Sequence, residues 1–110
     1  MTQEDKDLIY GRAKREEKEA RQHLRFLLED VAHVSTTLGQ FSGIFRHNSH
    51  LMRAQGNEFV VVSPVDDEAT TDRFSHSDFD AERIVILIRD LEIARERLQR
   101  AEVKVRELGG

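Results

Sequence analysis

The sequence contains no cysteine and no tryptophan, and its 110 residues include one proline and one tyrosine. Without cysteine there can be no disulfide framework, no thiolate nucleophile and no cysteine-ligated zinc site. With a single proline, few positions force a helix to end. We therefore expect a helix-rich chain that is held together by side-chain packing.

Long apolar runs are also missing. No stretch approaches the roughly 20 apolar residues that cross a bilayer. The first 21 residues, MTQEDKDLIYGRAKREEKEAR, are charged where a secretory signal would be apolar. These features predict a cytoplasmic protein that does not associate with membranes.

Charge, in contrast, is abundant. Charged residues make up 35% of the chain and hydrophobic residues 38%, and the net charge is −4. This length and composition are typical of a single helical domain spanning residues 1–110. The predicted fold class is all-α.

The first half of the chain has apolar residues at alternating steps of three and four, which places them on one stripe of an α-helix. A helix is predicted over residues 3–54. Its segment from Ser35 to Gly43 is rich in hydroxyl, β-branched and glycine residues, so the helix is either continuous or divided near Gly39. The stripe consists of Leu24, Leu27, Val31, Val34, Leu38, Phe41 and Phe45.

The last third of the chain repeats this spacing over residues 78–108, with opposite charges between the apolar positions, a pattern typical of a coiled coil. Ser75, Ser77 and Asp78 are candidate caps for its start, and Gly109-Gly110 is a natural stop. The apolar positions of this second stripe are Ile84, Leu87, Ile88, Leu91, Leu98 and Val105. The two stripes together form the predicted seam.

Residues 55–77 connect the helices and are acidic. This segment contains five acidic residues and one arginine, so its net charge of −4 equals that of the whole chain. Phe59 to Val62 form a short β-prone run that follows a Gly56-Asn57 turn signal. No second strand is evident, so the run is predicted to lie on the helices, or to pair with a second copy or with a partner. The candidate partner-binding residues are Phe59, Val60, Val61, Val62, Asp66, Asp67 and Glu68.

The helices are expected to fold back as an antiparallel hairpin. At 1.5 Å per residue, a helix of residues 78–108 reaches back only to about Gln22, so Glu4 to Arg21 are expected to project. Several apolar residues lie off the seam, and a lone hairpin cannot cover them. We therefore predict a homodimer, or a higher oligomer, in which two hairpins form a four-helix bundle. The off-seam residues are Phe26, Leu28, Ile44, Val85, Ile86, Ile88 and Ile93.

Candidate catalytic motifs are scarce. There is no Gly-x-Ser-x-Gly motif and no glycine-rich phosphate cradle, and consecutive carboxylates at Asp66 to Glu68 are typical of a solvated loop. His47 and His50 have the i, i+3 spacing at which two imidazoles can share a metal ion, which leaves a histidine-based metal protein as one alternative. No cofactor, resident metal or small-molecule substrate is predicted, and the chain is not expected to be an enzyme.

Nucleic-acid binding is a further alternative. In residues 2–22 six basic residues balance six acidic ones, whereas a protein that follows phosphates needs a basic surplus on one face. A helical regulator of nucleic acid or nucleotides could obtain that surplus from Arg95, Arg97, Arg100, Lys104 and Arg106.

The favoured hypothesis is a non-catalytic protein–protein interaction module, an adaptor, regulator or inhibitor, whose partners are itself and another protein.

Overall fold

The computed structural model describes residues 2–109. Along the chain, two long helices flank the three strands of a small antiparallel sheet in the order α1, β1, β2, β3, α2, with short 3-10 turns at Ser49–Leu51 and His76–Phe79. The bounds are Gln3–Asn48 for α1, Met52–Gln55 for β1, Glu58–Val62 for β2, Thr70–Ser75 for β3 and Ala81–Gly109 for α2. The described chain is mostly helical, as predicted, but it is not all-α.

Helix α1 begins with a reciprocal cap. The Thr2 hydroxyl accepts a hydrogen bond from the Asp5 backbone N–H at 3.2 Å, and the Asp5 carboxylate accepts one from the Thr2 N–H at 3.2 Å. The Thr2 hydroxyl also donates to the Asp5 carboxylate at 2.8 Å. This bond, together with the one from the Thr2 N–H, stabilises the charged carboxylate and lowers the pKa of Asp5. The helix continues through Gly39 without a break, so the undivided alternative is correct. Its predicted end at residue 54 is wrong, because the helix ends at Asn48 and Met52–Gln55 form β1.

Helix α2 begins at Ala81, where the Asp80 carboxylate accepts a hydrogen bond from the Glu82 N–H at 3.0 Å. The capping residues predicted for it serve the preceding turn instead. Ser75 caps His76–Phe79 by accepting from the Ser77 N–H at 3.3 Å, while the Asp78 carboxylate accepts from the Ser75 N–H at 2.9 Å. The helix extends to Gly109, and Gly110, the second residue of the predicted stop, lies outside the described residues.

The sheet has the strand order β1-β2-β3. Gln55 pairs with Glu58, so Gly56 and Asn57 form a two-residue hairpin turn between β1 and β2. Gly56 has a φ of 59°, the positive value that a type II′ turn requires at its first central position. The turn signal was therefore interpreted correctly, but the expectation of a lone strand is wrong: β2 has a neighbour on each side.

Strand β3 pairs with β2 through Glu58↔Ser75, Phe59↔Phe74 and Val60↔Arg73, and the register shifts between Val61 and Val62. The Thr71 hydroxyl donates to the Val61 carbonyl at 3.2 Å beside this irregularity. The sheet buries the middle strand most deeply, since Val60, Val61 and Val62 are all at most 5% exposed. The apolar run that the sequence singled out is therefore the centre of the sheet.

Contacts within the chain define two compact units. One contains the residues up to Asp30 and those from Ile86 onward, and the other is Val31–Val85. We call them the helical unit and the sheet unit. Both long helices contribute residues to both units.

In the helical unit the two helices run antiparallel. Glu19 contacts Arg97 at 4.0 Å, Glu16 contacts Lys104 at 3.8 Å, and the Tyr10 ring lies against Gly109. A Cβ at Gly109 would come within 2.9 Å of that ring. The predicted projection of Glu4 to Arg21 is therefore wrong, because α2 packs along α1 as far as Tyr10. The predicted projection depends on a second helix that starts level with the end of the first. Residues 49–80 instead form strands and turns between the two helices.

In the sheet unit an aromatic cluster joins α1 to the sheet. The Phe41 ring lies 5.7 Å from Phe59 and 5.5 Å from Phe74 in edge-to-face geometry, and 4.5 Å from Phe79. Phe45 stacks on Phe41 at 5.8 Å. Five of the six phenylalanines of the chain thus meet in one cluster, which is the packing that fixes the sheet on the helix.

Candidate interaction surface

The predicted seam lies on the inner face of the hairpin for most of its length. Of the seam residues in the helical unit, Leu91 is 7% exposed, and Leu24, Leu27, Leu87, Leu98 and Val105 are half-buried. In the sheet unit Val31, Val34, Leu38, Phe41 and Ile84 are half-buried. Phe45 and Ile88 differ, with exposures of 60% and 50%. The seam therefore contributes mainly to packing within one chain.

Small residues bring the two helices of the helical unit close together. Ala13 and Ala20 on α1 and Ala94 and Ala101 on α2 are each spaced by seven residues, and all four are at most 6% exposed. Alanine allows a short distance between helix axes, because there is little side chain to separate the backbones. A narrow contact of this kind leaves the flanks of both helices uncovered.

Large apolar side chains occupy those uncovered flanks. In the helical unit Phe26 is 54% exposed, Leu28 44%, Ile86 50%, Ile88 50% and Ile93 61%. The sequence placed Phe26, Leu28, Ile86 and Ile93 off the seam, and the structure leaves them exposed. Ile88, which was also counted in the seam, is exposed as well. Isolated exposed apolar residues are ordinary, but several at one level of a hairpin form a surface that needs explanation.

The exposed residues divide into two sides. Glu19 and Arg97 face each other across one side of the hairpin. Phe26 follows Glu19 by seven residues and Ile93 precedes Arg97 by four, so both share that side. Ile86 precedes Ile93 by seven and joins them. We call Phe26, Ile86 and Ile93 the isoleucine side.

Leu28 and Ile88 lie on the opposite side of the hairpin. Each is two positions from a residue of the isoleucine side, and two positions correspond to about 200° around a helix. Continuing along α2 on this opposite side, the residues at steps of four and three are Glu92, Arg95, Gln99 and Glu102, all polar. Beyond Ile88, this side has no further apolar residue at these steps.

Basic residues continue the isoleucine side toward the end of α2. Arg97, Arg100 and Lys104 line an open groove of about 300 Å³ together with Glu16 and Ala101. Glu19 and Glu16 lie beside Arg97 and Lys104, whereas Arg100 has no carboxylate within ion-pair distance among residues 2–109. Because two of the three cations already have carboxylate neighbours, the groove lacks the basic surplus that binding to a phosphate backbone needs.

The other predicted partner-binding residues lie in the sheet unit. Phe59 to Val62 lie in β2, which is paired with β1 on one edge and with β3 on the other. They therefore cannot pair with a strand of a partner. The strands at the edges of the sheet are β1 and β3. Asp66, Asp67 and Glu68 are exposed in the β2–β3 loop. The Asp66 carboxylate accepts from the Glu68 N–H at 3.0 Å, which gives it a structural role in the loop. A partner contact at residues 66–68 stays a prediction.

The histidines do not assemble into a site in the described part of the chain. His47 and His50 are both exposed near the end of α1. Within residues 2–109 there is no group of three or more His, Asp or Glu side chains placed to hold a metal ion. The same residues include no helix that is both long and apolar enough to span a bilayer.

Comparisons with protein-family models, with curated proteins and with solved structures give no match. The functional argument therefore depends on the geometry of the surface itself.

Proposed function

We propose that this chain is a non-catalytic protein–protein interaction module that works as a homodimer. The observation that supports the proposal is the set of large apolar side chains, 44–61% exposed, on the flanks of the helical unit. Burying the exposed part of each side chain contributes on the order of 1 kcal/mol. A second hairpin presents the same residues, so one twofold contact buries the apolar residues of the contacting flank in both copies.

A four-helix bundle is the assembly that this surface favours. Two hairpins packed side by side cover one flank of each helix pair, which is the contact that a single hairpin lacks. The charged residues between the apolar positions remain at the rim, where they stay solvated. An adaptor or regulator of this kind acts by presenting surfaces, and the open edges of β1 and β3 and the acidic loop at residues 66–68 are the surfaces that dimerisation through the helical unit leaves available for another protein.

Thermal unfolding at several protein concentrations tests homodimerisation. Since a dimer is favoured by mass action, the unfolding midpoint of the parent chain should rise by several degrees over a hundredfold increase in concentration. A double variant, Ile88→Asp with Ile93→Asp, places a charge on both sides and should remove this dependence. Val65→Asp, at a loop residue that is 92% exposed, is the control and should retain it.

A midpoint that does not change with concentration in the parent would refute the proposal. Retention of the concentration dependence in the double variant would show that the helix flanks are not the contact.

A further inference from the structure

We infer that the second copy docks on the isoleucine side, with its α2 antiparallel to α2 of the first copy and with the twofold axis near Ile93. This inference depends on the proposed homodimer and specifies its surface and direction. Five exposed apolar residues allow a contact on either side of the hairpin, and the distribution of apolar and charged residues decides between them.

The isoleucine side carries the larger apolar surface. Phe26, Ile86 and Ile93 are 54%, 50% and 61% exposed, whereas the opposite side has Leu28 and Ile88 at 44% and 50%, with Val85, three residues before Ile88, at 43%. An aromatic residue beside two isoleucines is the composition found in the buried centre of protein interfaces. Charged residues adjoin both groups, with Asp90 and Arg97 beside Ile93 and Glu92 beside Ile88. The larger apolar burial therefore favours the isoleucine side.

The direction follows from a second stripe on α2. Ile86, Asp90, Ile93, Arg97, Arg100 and Lys104 succeed one another at steps of four and three on the isoleucine side. In a parallel twofold pair each residue faces its own copy. Arg97, Arg100 and Lys104 would then form three successive layers of like charge, which is unfavourable.

An antiparallel pair removes this repulsion. With Ile93 at the axis, Asp90 of one copy lies next to Arg97 of the other, and the symmetry forms this opposite-charge contact twice. Ile86 then faces Arg100 of the other copy, whose methylene stem can cover an isoleucine while its guanidinium stays in water. Among the described residues Arg100 has no carboxylate partner of its own, so it is free to take this position.

Two single variants decide which side is the contact. Ile93→Asp should raise the dimer dissociation constant about a hundredfold or more, because the charge is buried in both copies. Ile88→Asp makes the same change on the same helix at 50% exposure and should shift the constant by less than about threefold. Sedimentation equilibrium measures both constants, and circular dichroism checks that each variant remains helical.

Charge exchange tests the direction without removing apolar surface. Asp90→Arg and Arg97→Asp should each weaken the dimer about three- to thirtyfold, and the double exchange in one chain should recover most of that loss. Arg95→Asp, on the opposite side, is the matched control and should have little effect. Failure of the double exchange to recover binding would overturn the antiparallel arrangement.

Engineered cysteines give an independent reading of the direction, because the chain has no cysteine of its own. Ile93→Cys lies at the axis and should form a disulfide-linked dimer on mild oxidation. Arg100→Cys is seven residues from the axis, which separates its two copies by about 21 Å, far beyond the roughly 7 Å that a disulfide tolerates. A parallel pair would cross-link both variants equally, which contradicts the inference.

The outcomes separate this inference from the proposed function. A parent chain that is monomeric overturns both. A dimeric parent that is dissociated by Ile88→Asp and unaffected by Ile93→Asp overturns the inference and leaves the homodimer in place.

Discussion

Four alanines set the distance between the helices of the helical unit. Ala13 and Ala20 on α1, and Ala94 and Ala101 on α2, repeat at seven residues and are nearly inaccessible to solvent. Because no larger side chain separates the backbones there, the Glu16–Lys104 and Glu19–Arg97 contacts can form at the margins. These exposed ion pairs add little stability themselves, so the contact depends on apolar packing at the alanines and at the seam residues beside them.

A larger residue at one of these positions should push the helices apart. Ala20 is 1% exposed, and we expect Ala20→Leu to lower the free energy of unfolding by about 1–3 kcal/mol through overpacking. Ala32→Leu, at an exposed position of the same helix, should change it by less than about 0.5 kcal/mol. Urea denaturation at fixed protein concentration measures both values. Equal, small effects at the two positions would show that Ala20 does not pack against α2.

Some residue-level features could be anticipated from the sequence. Helical spacing alone identified the off-seam apolar residues. Ile44 is half-buried, and the other six, Phe26, Leu28, Val85, Ile86, Ile88 and Ile93, are exposed in the structure. The spacing could not show that alanines would form the closest contact, because alanine is compatible with both buried and exposed helix positions. The contact between Tyr10 and Gly109 was missed because the second helix was expected to reach back only to about Gln22.

Among the elements, the sheet unit depends on its aromatic cluster. Phe41 on α1 contacts Phe59 and Phe74 on two strands, and Phe79 closes the cluster from the 3-10 turn before α2. A three-stranded sheet of four to six residues per strand is too small to be stable without a surface to pack on. Helix α1 supplies that surface through Phe41.

Truncating a buried member of this cluster should cost more than truncating an exposed one. Phe74 is 5% exposed and Phe45 is 60% exposed. We expect Phe74→Ala to lower the free energy of unfolding by about 3–5 kcal/mol, and Phe45→Ala by less than about 1.5 kcal/mol. Chemical denaturation followed by circular dichroism provides the comparison. If the order were reversed, the cluster would not be the core of the sheet unit.

The two helices could be predicted from the sequence because the 3-4 spacing persists over many turns in each. Strands β1 and β3 could not. The segment Met52–Gln55 contains no β-branched residue, and Met52 continues the helical count of α1. The segment Thr70–Ser75 pairs across a register shift, which disturbs the alternation that marks a strand. The Gly56-Asn57 turn was the one signal that a second strand precedes β2.

For the whole molecule, charge and apolar surface are distributed unevenly. The acidic surplus lies in residues 55–77, while the isoleucine side joins apolar residues to Arg97, Arg100 and Lys104. In the dimer that we propose, a second copy related by a twofold axis covers the apolar residues of that side and brings Asp90 next to Arg97. The sequence predicted that more than one chain is needed, and the structure adds which residues are uncovered.

The mass of the parent chain in solution tests the central claim most directly. Light scattering on chromatographed protein at micromolar concentration should give twice the 12.7 kDa of one chain, because the proposed dimer buries one flank of the helical unit of each copy. A mass of 12.7 kDa at that concentration, with the helical spectrum intact, would contradict it.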